Sequence, residues 1–175
     1  MPEQPSLTLA RQRLSYLVIA HGMTILLIGL AAGVMLIFSL LDAVTLWPLP
    51  VWEVSVPGTT RGWQAAHVGG ITNGVMMAVV AIIMLKLDLS ERHFNWSGWG
   101  MIVMGWGNTL FYWGGNVSTN RGLSIGDTPF GPGDIPGALA FLGGGLGMFI
   151  TFYVVTVLAF AAFRKARELN ANTTE

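Results

Sequence analysis

The chain has 175 residues, of which 53% are hydrophobic and only 10% charged, with a formal net charge of zero. Soluble domains carry about 25% charged residues, so much of this surface faces something other than water, and lipid explains that better than one oversized core. Zero net charge offers no electrostatic footprint for nucleic acid. The absence of cysteine removes disulfides, zinc–thiolate sites, iron–sulfur clusters, covalent haem attachment and thiolate-ligated haem.

Residues 1–14 read as a polar N-terminal arm ending in Arg11 and Arg13. The apolar run that follows is too long for the h-region of a cleaved signal, so it is expected to remain as a first span. A bilayer core needs about 20 apolar residues as helix, and four stretches qualify: about 16–41, 63–85, 96–113 and 135–163. The third is the most polar. The expectation is an all-α, integral membrane four-helix bundle over residues 15–165, with 166–175 as a cytoplasmic tail.

Seven of the nine cations, Arg11, Arg13, Lys86, Arg92, Arg164, Lys165 and Arg167, fall before span one, between spans two and three, or after span four; Arg61 and Arg121 lie on the other side. The positive-inside rule then puts both termini in the cytoplasm, in the inner membrane of the cell. Trp47, Trp52 and Trp63 mark one interface, Trp96 and Trp99 the other. The connector Gly114–Asp134, GGNVSTNRGLSIGDTPFGPGD, is rich in turn formers. It also holds a phenylalanine and an arginine that a bare connector does not need, so it is read as a folded cap.

Polar groups at membrane depth are costly, and each is a candidate site. In span one, His21 precedes Gly22, Gly29 and Gly33; it fits a second axial ligand, a hydrogen-bond partner or a buried neutral histidine. In span two, WQAAHVGGITNGVMM places Gly70 and Gly74 three and seven positions after His67, on its face of the helix. Two readings fit: an imidazole above a bare strip on which a flat macrocycle could lie, or a helix-packing motif beside an interfacial histidine. Asn73 lies about 120° round the helix from His67 and should face a different neighbour. In span three, GWGNTLFYWGGN sets Gly105, Asn108 and Tyr112 on one face. Amide and phenol there could orient a neutral oxygen-containing ligand or serve helix packing. Span four has no charged residue, and its FLGGGLGMF run reads as a packing surface. His93, beside Arg92 in a short loop, reads as solvated. Paired carboxylates, a nucleophile elbow, a phosphate loop and an H-E-x-x-H site are all absent from the sequence.

Two blocks carry a resemblance: VPGTTRGWQAAHVGGITNGVMM, from Val56 to Met77, and GWGNTLFYWGGNVSTNRGLSIGDTPFGPGD, from Gly105 to Asp134. In order and spacing they resemble the styrene oxide isomerase family, small membrane enzymes. The two blocks cover under a third of the chain, and the N-terminal arm is extra. The resemblance implies a homotrimer with haem b between neighbouring subunits. It also implies His67 as the axial ligand, with Gly70 and Gly74 beside the macrocycle, Asn73 and Tyr112 as catalytic residues that orient the substrate, and Asn108 as a further substrate contact. The implied reaction converts a small apolar aryl epoxide such as styrene oxide to an arylacetaldehyde. Ferric haem acts as Lewis acid and a hydride moves between neighbouring carbons. From another class, a membrane b-type haem protein for electron transfer or gas sensing would show a six-coordinate haem, with His21 and His67 as its two ligands.

Overall fold

The computed structural model describes residues 9–172. Most of the expected polar arm, and the last three residues of the tail, lie outside the described residues. Four long helices dominate: α1 (Leu9–Leu41), α2 (Thr60–Lys86), α3 (Glu91–Val117) and α4 (Ile135–Asn172). Between α1 and α2 a small hairpin pairs β1 (Ala43–Val44) with β2 (Trp52–Glu53). The chain is an all-α membrane protein: α1, α2 and α4 are each long and apolar enough to cross a bilayer. The other helix, α3, has 27 residues, as many as α2, but fewer of them are apolar.

The starts of α2, α3 and α4 each have a local cause. The Thr59 hydroxyl accepts from the Gly62 N–H at 3.0 Å and the Ser90 hydroxyl from the His93 N–H at 3.3 Å, satisfying backbone donors that have no partner inside the helix. Asp134 does the same for α4, its Oδ1 accepting from the Gly137 N–H at 2.7 Å, and Pro136 sits in the first turn, where its missing N–H costs nothing.

Glycines set the helix pairing. Successive helices are antiparallel. On α1 and α2, Gly22 meets Gly74, Gly29 meets Gly70, and Gly33 meets His67. Between α2 and α3, Gly62 meets Asn116, Gly69 meets Tyr112, and Met77 meets Gly105. Between α3 and α4, Gly107 and Gly143 touch backbone to backbone. With lipid outside, helices associate through such close packing rather than by escape from water. α3 also contacts α1, and among the helices α4 packs mainly on α3. The core lies where α1, α2 and α3 converge, with Val18, Ile25, Met77, Met84, Phe94, Met101 and Met104 fully buried. A smaller cluster of Ala32, Trp63 and Ala66, flanked by Tyr112 and Trp113, closes the other end.

Ion pairs gather at the end that carries Arg11, Asp88 and Lys165. Arg11 bonds Glu91 Oε1 at 2.8 Å and the Leu89 carbonyl at 2.8 Å, and Lys165 bonds Asp88 at 2.6 Å. The hydrogen bond from Lys165 is the main reason that the Asp88 carboxyl titrates below its usual range. His93, expected to be solvated, bonds the Tyr153 hydroxyl at 2.9 Å while remaining exposed.

At the opposite end, residues 118–134 fold around two side chains. Asn120 is fully buried; its amide nitrogen donates to the Ser124 and Gly126 carbonyls. Asp134 accepts from the Thr119 N–H and the Ser118 hydroxyl at 2.9 and 2.7 Å. Those bonds and the Gly137 N–H hold its carboxyl down at about 2. Arg121 lies over the Phe130 ring at 4.2 Å, which gives the odd arginine and phenylalanine of the connector a common role.

Candidate active site

His67 and Asn73 face different neighbours, as their spacing requires. The His67 ring is half-buried against α1, with Nδ1 2.9 Å from the Gly29 carbonyl oxygen. A carbonyl only accepts, so Nδ1 carries the hydrogen, and in the neutral ring Nε2 then keeps its lone pair. Asn73 faces α3. Its Oδ1 accepts from Asn108 Nδ2 at 3.3 Å. Its own Nδ2 is buried and meets no acceptor among the described residues. One turn along the same interface, the Tyr112 ring lies on Gly69: a Cβ there would stand 2.3 Å from Tyr112 Cε2.

The structure thus brings Asn73, Asn108 and Tyr112 together on successive rungs between α2 and α3. His67 sits apart on the α1 flank: two residues of helix separate it from Gly69, a rotation of about 200°.

Gly70 and Gly74 do share the face of His67, but that strip is not open. A Cβ on Gly70 would lie 2.5 Å from Gly29 Cα, and one on Gly74 would lie 2.6 Å from the Gly22 carbonyl oxygen. The α1 backbone lies against this strip, because small residues on both helices draw the pair together. Within one chain the two glycines pack α2 against α1.

His21 is also placed. Trp106 Nε1 lies 3.2 Å from His21 Nδ1, and an indole N–H can only donate, so this nitrogen is an acceptor. Gly33, which touches His67, lies twelve residues beyond His21 on α1, about 18 Å along the axis. Within one chain the two histidines therefore cannot share an iron.

His67 fits a single axial ligand, with one nitrogen tied to a carbonyl and no partner for the other among the described residues, the arrangement that usually orients metal-binding histidines. Among the described residues no three His, Asp or Glu side chains come together to cage a bare metal ion. Sequence reasoning missed Gly29 and Gly33 as neighbours of His67, and Trp106 and Met104 as partners of His21 and Asn108. The signal was present: Gly22, Gly29 and Gly33 on α1 match Gly74, Gly70 and His67 when read in reverse order.

The styrene oxide isomerase family profile matches residues 14–163. A styrene-oxide isomerase of Pseudomonas fluorescens is 34% identical over 120 residues, covering 69% of this chain and 71% of that protein. The family match reaches into all four helices and takes in every site residue above, and the chain belongs to the styrene oxide isomerase family.

Proposed function

We propose that this epoxide isomerase converts aryl epoxides such as styrene oxide to arylacetaldehydes, with haem b held by His67. The observation that carries the reading is the Nδ1 bond of His67 to the Gly29 carbonyl at 2.9 Å, which leaves Nε2 free as a ligand. When bound, ferric haem would supply a Lewis acid for the epoxide oxygen.

The remaining work falls to side chains of this chain. Asn73 Nδ2 is a donor without a protein acceptor among the described residues, suited to the epoxide oxygen as negative charge builds on it. Tyr112 offers a phenol one turn away. Opening of the benzylic carbon–oxygen bond places positive charge beside the aromatic ring, and a hydride moves from the neighbouring carbon to give the aldehyde. That shift needs no protein base, which accords with a site of amides and a phenol rather than carboxylates. Apolar surroundings keep water from trapping the cation as a diol.

One chain leaves His67 and the Asn73–Tyr112 pair on different flanks of α2. A second copy would supply the missing half, with haem at the subunit interface of a homotrimer, the assembly the family resemblance implies. Both termini are assigned to the cytoplasmic side of the inner membrane. The ion pairs join segments that flank Arg11, Lys86, Arg92 and Arg164 at one end of the molecule, as the positive-inside rule asks.

The test is to purify the protein in detergent, record its visible spectrum and add styrene oxide while following phenylacetaldehyde. Haem bands and aldehyde are expected in the wild type, and His67→Ala should lose both. Undiminished aldehyde formation by haem-free protein would sink the Lewis-acid reading. Loss of aldehyde with normal haem in His67→Ala would sink the ligand assignment.

A further inference from the structure

The His67 ring rests on a stretch of α1 with no side chain. A Cβ added to Gly33 would stand 2.6 Å from His67 Nδ1, 2.7 Å from Cε1 and 3.3 Å from Cγ, inside van der Waals contact at all three atoms. One turn before it, the Gly29 carbonyl oxygen meets Nδ1 at 2.9 Å. Residues four apart share a helix face, so the gap at Gly33 and the acceptor at Gly29 form one seat for the imidazole. The bare Cα of Gly29 serves a different purpose, since a Cβ there would lie 2.8 Å from the Gly70 carbonyl carbon. Its missing side chain brings α1 and α2 close enough for the ring to reach across.

We propose that Gly33 is a positioning residue for His67: by carrying no Cβ it lets the imidazole settle onto α1 within reach of the Gly29 carbonyl, which fixes the hydrogen on Nδ1 and presents Nε2 as the ligand atom. This rests on the reading of His67 as the haem ligand. The Gly29-x-x-x-Gly33 pair is then more than a packing motif, since only its first member packs helix on helix. A side chain at Gly33 would push the ring off the carbonyl, free the tautomer and turn the Nε2 lone pair.

The experiment is resonance Raman spectroscopy of the ferrous, haem-loaded protein, reading the iron–histidine stretch, which rises when Nδ1 donates a hydrogen bond. The wild type should fall in the range of a hydrogen-bonded imidazole; a frequency typical of a free Nδ1–H overturns the proposal without any variant. Gly33→Ala should shift the band down or broaden it. Gly22→Ala, which crowds the Gly74 carbonyl on the same interface but not the ring, should lower thermal stability and leave the band in place. If both variants lower stability alike and neither moves the band, Gly33 only packs helices and the proposal falls. If His67→Ala keeps the wild-type band, the ligand reading itself is wrong, a result separate from any effect of Gly33.

Discussion

Asn108 holds Asn73 rather than the reverse: its amide nitrogen donates to Asn73 Oδ1 at 3.3 Å and to Met104 Sδ at 3.2 Å. Both hydrogens of that amide are engaged inside the protein, while the Asn73 amide nitrogen has no acceptor among the described residues. Asn108 should therefore act through Asn73. Asn73→Leu is expected to cut turnover by more than Asn108→Leu, with haem retained in both. An interhelical bond of this kind is worth about 0.6 kcal/mol on average, so Asn108→Leu should barely change the unfolding midpoint. A loss in Asn108→Leu as deep as in Asn73→Leu would mean that Asn108 touches substrate directly.

Tyr112 separates ring from hydroxyl. Its ring packs on Gly69, so Tyr112→Phe should keep the packing and lose only the donor. Removing a main oxyanion donor costs about 10²–10³ in rate; a smaller loss is expected here, because a Lewis acid would carry most of the charge. Gly69→Ala should be worse, since its Cβ collides with the ring. Initial rates with styrene oxide, beside thermal midpoints, read the two effects apart. Equal rates in Tyr112→Phe and wild type would remove the phenol from the mechanism.

The Asp134 carboxyl titrates at about 2 because the Thr119 N–H, the Ser118 hydroxyl and the Gly137 N–H all bond its charged form. A depressed carboxylate stabilises the fold above its unfolded pKa and loses that contribution as pH falls through the folded one. The 118–134 loop should thus stay closed at neutral pH and loosen between about pH 4 and pH 2. Hydrogen exchange over this segment at stepped pH would show it. Asp134→Ala should be loose already at pH 7, and an unchanged exchange profile in that variant would refute the role.

His21 accepts from Trp106 and sits far along α1 from His67. His21→Ala should keep haem content and axial ligation and lower stability by about 1 kcal/mol, the usual net worth of one hydrogen bond. A change from six-coordinate to five-coordinate haem in this variant would instead favour the electron-carrier reading, with His21 supplied by another subunit.

The helices are legible because length and apolarity alone define a span, and the polar residues stand out as expensive exceptions. Spacing correctly turns Asn73 away from His67 and gathers Gly105, Asn108 and Tyr112 on one face. It leaves Gly70 and Gly74 open, since a strip of glycines looks the same from the sequence whether a cofactor or another helix covers it. Only the register of α1 decides, and that register depends on tertiary contact. The bond made by His93 escapes for a related reason: its Tyr153 partner is sixty residues away, beyond any local pattern. The folded state of 118–134 follows from its turn chemistry, but the central place of Asn120 does not, because one asparagine among many gives no sign of burial.

The backbone crossing at Gly107 and Gly143 bears on how the protein is made. α3 is the least apolar of the four helices, and it is the helix on which α4 mainly packs. A helix with so many glycines and amides partitions poorly by itself, yet paired with a strongly apolar neighbour it can enter as half of a hairpin. Because α3 leaves the ribosome first, it must wait at the membrane surface or in the insertion machinery until α4 emerges. Chains cut after residue 134 should leave α3 accessible to a water-soluble cysteine label placed at Val103, on the outward face of α3, whereas full-length chains protect the same position. If the shortened chain protects it equally, α3 inserts unaided.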